Sequence, residues 1–161
     1  MNAKIILLPG DGIGVEVTAE AELLMTGLAK EYNVTLDLQT ELIGGVAMEA
    51  TGEPLPEKTL TACRNAEAII LGAVGGPQWA DPHAEKRPEQ GLLQLRKELG
   101  LYANLRPIRL HPKLANASPL KPEYLEGVDL IVVRELTGGS YFGEKQEGDD
   151  FASDTCTYSR V

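Results

Sequence analysis

The sequence predicts an α/β protein, and three observations carry that prediction. Short apolar runs stop at glycine or proline, helical periodicity fills the stretches between them, and the two alternate from residue 5 onward. Ile5-Ile6-Leu7-Leu8 halts at Pro9-Gly10 and reads as a buried strand entering a turn. After Gly10-Asp11-Gly12-Ile13-Gly14, apolar residues recur at Ile13, Val17, Ala21, Leu24 and Leu28, while Glu16, Glu20 and Lys30 take other faces. That spacing predicts an amphipathic helix laid on a sheet by its aliphatic stripe. Thr35 to Leu42 alternates, which predicts a half-buried strand near a sheet edge, with Leu36, Leu38 and Leu42 inward and Asp37, Gln39 and Glu41 outward.

Pro56 suits the first turn of a helix reaching about Asn65, and Ala68-Ile69-Ile70-Leu71 reads as a second buried strand ended by Gly72. The rhythm then breaks from Gly75 to Gly91, a stretch with three prolines, Trp79 and mixed charges. A connection that long without periodicity is usually functional or disordered. Leu92 to Leu99 is expected to be helical and Tyr102 to Leu110 extended around Pro107. Val128 to Val133 reads as the strongest buried strand in the chain. From Thr137 the composition predicts extended structure or a hairpin arm. There are no repeats and no low-complexity tracts. Tyr158-Ser159-Arg160-Val161 shows no helix cap, charged tail or Gly/Pro punctuation, so a piece of a longer chain is expected.

Fifteen Lys+Arg against twenty-four Asp+Glu give a net charge of −9. Such a surface repels phosphate backbones and anionic lipid, so neither nucleic acid nor membrane is expected as a partner. A small anionic substrate responds to local charge and stays in view. Cys63 and Cys156 form no Cys-x-x-Cys pair, which favours reduced thiols in the cytoplasm. Met1 to Leu8 is too short an apolar run for a secretory signal, and nothing approaches the roughly 20 residues of a membrane span.

Several residues could carry chemistry. Gly10-x-Gly12-x-Gly14 misses the G-x-G-x-x-G dinucleotide spacing, and a tight strand-to-helix turn explains it by itself. Glu89, Leu92 and Arg96 fall on one helix face at i, i+3, i+7, either as an ordinary amphipathic surface or as a mixed binding stripe. Arg106 interrupts an extended segment. Arg134 follows the apolar strand, at the carboxyl end where ligands of open α/β sheets sit. Its planar guanidinium suits a carboxylate held by two hydrogen bonds, and an ion pair with Glu135 is the other reading. Tyr141, in Thr137-Gly138-Gly139-Ser140-Tyr141-Phe142-Gly143, is either packed or a phenol beside cations that acts as proton donor. His83 and His111 read as exposed loop residues, Asp149-Asp150 as a solvated turn. No Asp, Glu or His spacing argues for a metal site.

Taken together, five segments resemble the β-decarboxylating dehydrogenases, the superfamily of the 3-isopropylmalate, isocitrate, homoisocitrate and tartrate enzymes. They are Leu8 to Glu16, Gly72-Ala73-Val74-Gly75-Gly76-Pro77, Gly91-Leu92-Leu93-Gln94-Leu95-Arg96-Lys97, Ala103-Asn104-Leu105-Arg106-Pro107 and Val133 to Glu144, in the order seen in that family. The resemblance implies an isopropylmalate/isocitrate dehydrogenase-like fold, not a Rossmann fold, present as two partial lobes. Residues 1–99 would be the first part of a cofactor-side lobe. Residues 100–161 would be the first part of a substrate and dimerisation lobe, including the start of an arm.

By the same resemblance, Arg96, Arg106 and Arg134 would bind substrate carboxylates and Tyr141 would protonate the enol left by decarboxylation. Gly76, Pro77 and Glu89 would belong to a loop closing over the nicotinamide side of NAD, with Glu89 also reaching the substrate, and Ile13 would lie near the adenosine half. Isocitrate enzymes resemble one another in placing a serine near Arg96. Here Leu92 and Leu93 are aliphatic, which suits an isopropyl group and leaves a third carboxylate unpaired. The implied reaction is NAD-dependent oxidative decarboxylation of 3-isopropylmalate, with Mg2+ or Mn2+, in a homodimer. Homoisocitrate or tartrate as substrate, or a non-catalytic binding or oligomerisation module, are the alternatives. The family's metal-binding aspartates, catalytic lysine and main adenosine-binding loop would fall after Val161. The resemblance therefore implies little or no turnover by these 161 residues alone.

Overall fold

The computed structural model describes residues 2–81 and 83–159. Arg160 and Val161, part of the segment without a stop signal, and Pro82, within the irregular stretch, lie outside the described residues. The chain divides into two compact units, Met1–Leu99 and Gly100–Val161.

The first unit runs strand β1 (Asn2–Gly10), helix α1 (Gly14–Glu31), strand β2 (Thr35–Thr40), helices α2 (Gly45–Thr51) and α3 (Glu57–Arg64), strand β3 (Ala68–Ala73), and helix α4 (Pro88–Glu98). A 3-10 turn at Pro77–Trp79 lies in the connection before α4. The three strands form a parallel sheet in the order β2-β1-β3, with Ile5 of β1 level with Leu38 and Ala68. Alternation along β1 serves both faces of the sheet. Ile6 and Leu8, fully buried, join a core with Ile43, Leu55, Leu60, Cys63 and Leu95. Each such side chain contributes about 1.5–3 kcal/mol by leaving water. Leu7 is buried on the opposite face, the side on which α1 packs.

Helix α1 packs by a different stripe from the one its apolar periodicity predicts. Ile13, Val17, Leu24 and Leu28 are exposed, while Gly14 and Thr18 are buried and Ala21, Met25 and Ala29 half-buried. The reason is close approach. A Cβ at Gly14 would collide with the Pro9 carbonyl and lie 2.6 Å from the Ala73 nitrogen, and a Cβ at Gly72 would lie 2.6 Å from Thr18 Oγ1. Only a stripe of small residues lets the helix settle that near the sheet.

β2 is an edge strand, as its alternation predicts, but it ends at Thr40. Beyond it Glu41 turns inward, 7% exposed, and Leu42 outward, 42% exposed, reversing the expected pattern. Glu41 is satisfied there by Lys58 and Gln39, which makes its burial tolerable. α3 occupies the predicted span. α2 has no counterpart in the sequence reading: it is seven residues long and bounded by Gly44 and Gly52, both at positive φ.

In the second unit, strand β4 (Ala103–Arg109) pairs antiparallel with β5 (Asp129–Glu135), and two 3-10 turns, Pro112–Ala117 and Pro122–Tyr124, connect them. The short strands β6 (Lys145–Glu147) and β7 (Ala152–Asp154) then form a hairpin, consistent with the predicted arm. β5 stands where expected but is not buried. Leu130, Ile131, Val132 and Val133 are each between 43% and 61% exposed. In a sheet of two strands, β5 has only β4 as a neighbour, and both its faces meet solvent. Among the described residues no helix is long and apolar enough to cross a membrane.

Candidate functional site

The order β2-β1-β3 puts β1 in the middle, so successive connections lead to opposite sides of it. In open α/β sheets such a reversal opens a crevice at the carboxyl ends of the strands, here between β1 and β3. Both loops that leave this edge carry candidate residues. The Asp11 N–H donates to the Ala73 carbonyl at 2.7 Å, and the Gly75 N–H donates to Asp11 Oδ2 at 2.7 Å. The turn holding Ile13 and the loop holding Gly76 and Pro77 are therefore tied side by side. Ile13 is 59% exposed. Gly12, at φ +53, has open space where a side chain would be. Glu89, in the first turn of α4, reaches over the same loop: a Cβ at Gly75 would lie 2.6 Å from its Oε1.

α4 begins where Pro88 fixes φ and Gln90 Oε1 accepts the Arg87 N–H at 3.0 Å. It buries Pro88, Gly91 and Leu95, spaced i, i+3, i+7. Glu89, Leu92 and Arg96, one position on, form the neighbouring stripe. Glu89 is exposed and Leu92 and Arg96 are half-buried, with Leu93 half-buried beside them. The same-face reading of these three is therefore met by the helix geometry.

The second unit gathers the other three candidates. Arg134 stands opposite Asn104, and Arg106 opposite Val132. Residues directly opposite share a face, so Arg106 and Arg134 are diagonal neighbours, roughly 7–8 Å apart by strand geometry. Arg106 Nε donates to Asn104 Oδ1 at 3.0 Å, which steadies its stem. Arg134 Nη2 donates to Tyr141 Oη at 2.7 Å, and its guanidinium carbon lies 5.2 Å from the Tyr141 ring centroid. The ring is 57% exposed, so neither a buried packing role nor a closed cavity accounts for it. Because the phenol oxygen accepts from Arg134, its own hydrogen is left to donate elsewhere.

Glu135 does not partner Arg134. Adjacent strand residues point to opposite faces, and the Glu135 carboxylate is taken up by the turn that follows. The Thr137 hydroxyl, and then the Thr137 and Gly138 amides, donate to it and hold it below the usual glutamate range. Gly139, at φ +71, completes a turn that no bulkier residue makes easily, and it delivers Tyr141 beside Arg134. A cavity of about 550 Å3 lies at the far end of the β4–β5 pair, lined by Arg109, Leu125, Val128 and Asp129 among others. It is remote in register from Arg134, and its one arginine is already paired, as Arg109–Asp129 at 2.8 Å. The convergent chemistry lies at the other end.

Asp11 is the residue whose role the sequence reading missed. It is 1% exposed and accepts three backbone N–H groups, from Gly45, Val46 and Gly75. A lone acidic residue between two glycines was the available signal, but its distant partners cannot be read from spacing. His83 and His111 are exposed, as are Asp149 and Asp150. Among the described residues no three His, Cys, Asp or Glu stand together as a metal site.

A crevice at the reversal of a parallel sheet in one unit, and an arginine pair with an attached phenol in the other, are the candidate features of this α/β chain. The isocitrate/isopropylmalate dehydrogenase family model matches residues 4–161, and the chain belongs to that family. Curated 3-isopropylmalate dehydrogenases are similar to it along nearly its whole length. The Rhodopirellula baltica enzyme is 57% identical over 89% of this chain and 40% of its own. The Anaeromyxobacter dehalogenans enzyme is 53% identical over 98% and 46%, respectively. The chain thus spans less than half the length of these relatives. Among solved structures, a Thermus thermophilus protein superposes with a TM-score of 0.73 at 26% identity, over 97% of this chain and 29% of that one. The isocitrate dehydrogenase of Methylococcus capsulatus gives 0.70 at 28% identity, over 98% and 43%.

Proposed function

We propose that these 161 residues supply the substrate arginines, the proton-donating phenol and the nicotinamide-side loop of a cytoplasmic 3-isopropylmalate dehydrogenase. The observation that carries the reading is the Arg134–Tyr141 hydrogen bond with Arg106 on the same strand face. It is joined by similarity of 49–57% to relatives that carry that name. In this reading the reaction converts 3-isopropylmalate to 2-oxoisocaproate, a step of leucine biosynthesis.

Arg106 and Arg134 neutralise and orient the diacid by charge-assisted hydrogen bonds, and Arg96 on α4 is carried over as a further substrate ligand by the family resemblance alone. Leu92 and Leu93 offer aliphatic surface to the isopropyl group and no partner for a third carboxylate. Bound NAD supplies the acceptor for the hydride from C2. The Gly12 opening, the side chain of Ile13 and the Gly75–Pro77 backbone beneath Glu89 suit such a flat, polar-edged ligand. After the carboxylate on C3 departs as carbon dioxide, Tyr141 Oη gives its proton to C3, and the Arg134 bond steadies the oxygen as it does so.

A divalent cation, Mg2+ or Mn2+, is typical of the family. No ligand cluster for it occurs among the described residues. The β6–β7 hairpin is the candidate arm for a homodimer.

The reading is tested with the chain alone and with a chimera that continues it with the segment following the matched region in the Bacillus subtilis relative. NADH should form from 3-isopropylmalate in the chimera with Mg2+, far faster than from isocitrate or tartrate, and not in the 161-residue chain alone. A soluble, folded chimera that prefers isocitrate or tartrate overturns the substrate assignment, and one inactive on all three overturns the site.

A further inference from the structure

We infer that Asp11 is a positioning residue that latches the Gly75–Trp79 loop onto the start of α2. The latch stands on geometry alone, and its link to cofactor binding rests on the reading proposed above. An acidic side chain in a strand-to-helix turn ordinarily caps its own helix. The carboxylate of Asp11 does something else. Oδ1 accepts the Val46 N–H at 2.9 Å, and Oδ2 accepts the Gly45 N–H at 2.9 Å and the Gly75 N–H at 2.7 Å. Its partners are 34, 35 and 64 residues away along the chain. One buried carboxylate therefore joins three segments that lie far apart in the sequence.

The surrounding glycines fit that purpose. Gly44 and Gly75 take φ of +82 and +96, and a Cβ at Gly44 would strike the Asp11 carboxylate. A Cβ at Gly45 would run into the indole of Trp79, so the ring lies directly on the first residue of α2. The loop is pinned twice, by a carboxylate at Gly75 and by an indole four residues on. Between the pins sit Gly76 and Pro77, directly after the Gly75 backbone that Glu89 covers.

Trp79 is the sole tryptophan of the chain, so its fluorescence reports on the surroundings of this loop. Asp11→Asn keeps the shape but leaves one acceptor oxygen and turns an NH2 toward amide donors, which orphans at least one of the three. In the folded variant, Trp79 emission should shift to the red and acrylamide quenching should rise, with the far-ultraviolet circular dichroism unchanged. In the chimera described above, NAD titrated by calorimetry should bind the Asp11→Asn variant roughly tenfold more weakly than the parent, the size expected for losing one charge-assisted bond. A folded Asp11→Asn chain whose Trp79 is quenched as in the parent overturns the latch. Release of Trp79 with unchanged NAD affinity in the chimera supports the latch and overturns its link to cofactor binding. Should the variant not fold, amide exchange of the parent decides. The Gly75 N–H should be protected to the level of Gly45 and Val46, and exchange at the rate of an unstructured amide overturns the proposal.

Discussion

Glu41 lies just past β2 with Lys58 Nζ at 2.9 Å and Gln39 Nε2 donating at 2.7 Å. Burial works to raise its carboxyl, but the bonds from Lys58 and Gln39 outweigh burial and leave it below the usual glutamate range. A folded-state value below the unfolded one stabilises at pH above the unfolded value, about 4.3, and that contribution is lost as pH falls through the folded value. Lys58→Met should therefore cost about 1 kcal/mol at neutral pH, a modest figure because Lys58 is largely solvated. Thermal melts of the two proteins should converge in acid, and a gap that persists there would assign the effect to packing. Tyr141 is the second residue whose contacts make a quantitative statement. In the active chimera, Tyr141→Phe should lower kcat by about 10²–10⁴, the usual worth of a positioned proton donor, with KM nearly unchanged. A variant that instead raises KM would make Tyr141 a binding residue. Cys63 is quiet by contrast, since burial, followed by the nearby Glu41, pushes its thiol up and away from the reactive thiolate form.

At the scale of elements, α1 holds the clearest energetic oddity. Thr18 Oγ1 is buried against Gly72 without a hydrogen-bond partner. Thr18→Val keeps the branched shape and removes the unsatisfied hydroxyl, so it should stabilise by about 1 kcal/mol, read as a higher midpoint in urea. Loss of stability would mean that the hydroxyl has a bound water as partner. The same helix shows where sequence reading succeeds and where it stops. Its existence and start were legible from Gly10 to Gly14 and from the apolar recurrence, because periodicity reports helix. Its orientation was not, because periodicity favours large side chains whereas the contact with β1 and β3 selected small ones. The start of β2 and the span of α3 were legible, and α2 was not, because its seven residues are defined by flanking glycines and by Asp11 from elsewhere. Within the site, helical spacing was enough to align Glu89, Leu92 and Arg96. Arg106, Arg134 and Tyr141 were brought into one group only by family resemblance, since antiparallel register cannot be read from one strand. The strength of β5 as an apolar run was read correctly and its burial was not, because burial depends on what covers a strand.

The whole molecule consists of two units with unequal means of support. The first encloses a common core of eight buried residues. The second rests on two-stranded sheets, a form that is marginal in water by itself. Unfolding should accordingly be non-coincident. Trp79 fluorescence, which belongs to the first unit, should change at higher urea than the far-ultraviolet signal of the strands in the second, and superimposable curves would show the two behaving as one cooperative block.

The central place of β1 has a consequence for synthesis. The strand flanked on both sides, β1, is translated before either of its neighbours, and its partner β3 is complete only at Ala73. At translation speeds of about 5–20 residues per second, the nascent strand must wait several seconds before its second edge is paired. During that interval Ile5 to Leu8 is a bare β-prone segment in a growing chain, and chaperone contact is best timed to it.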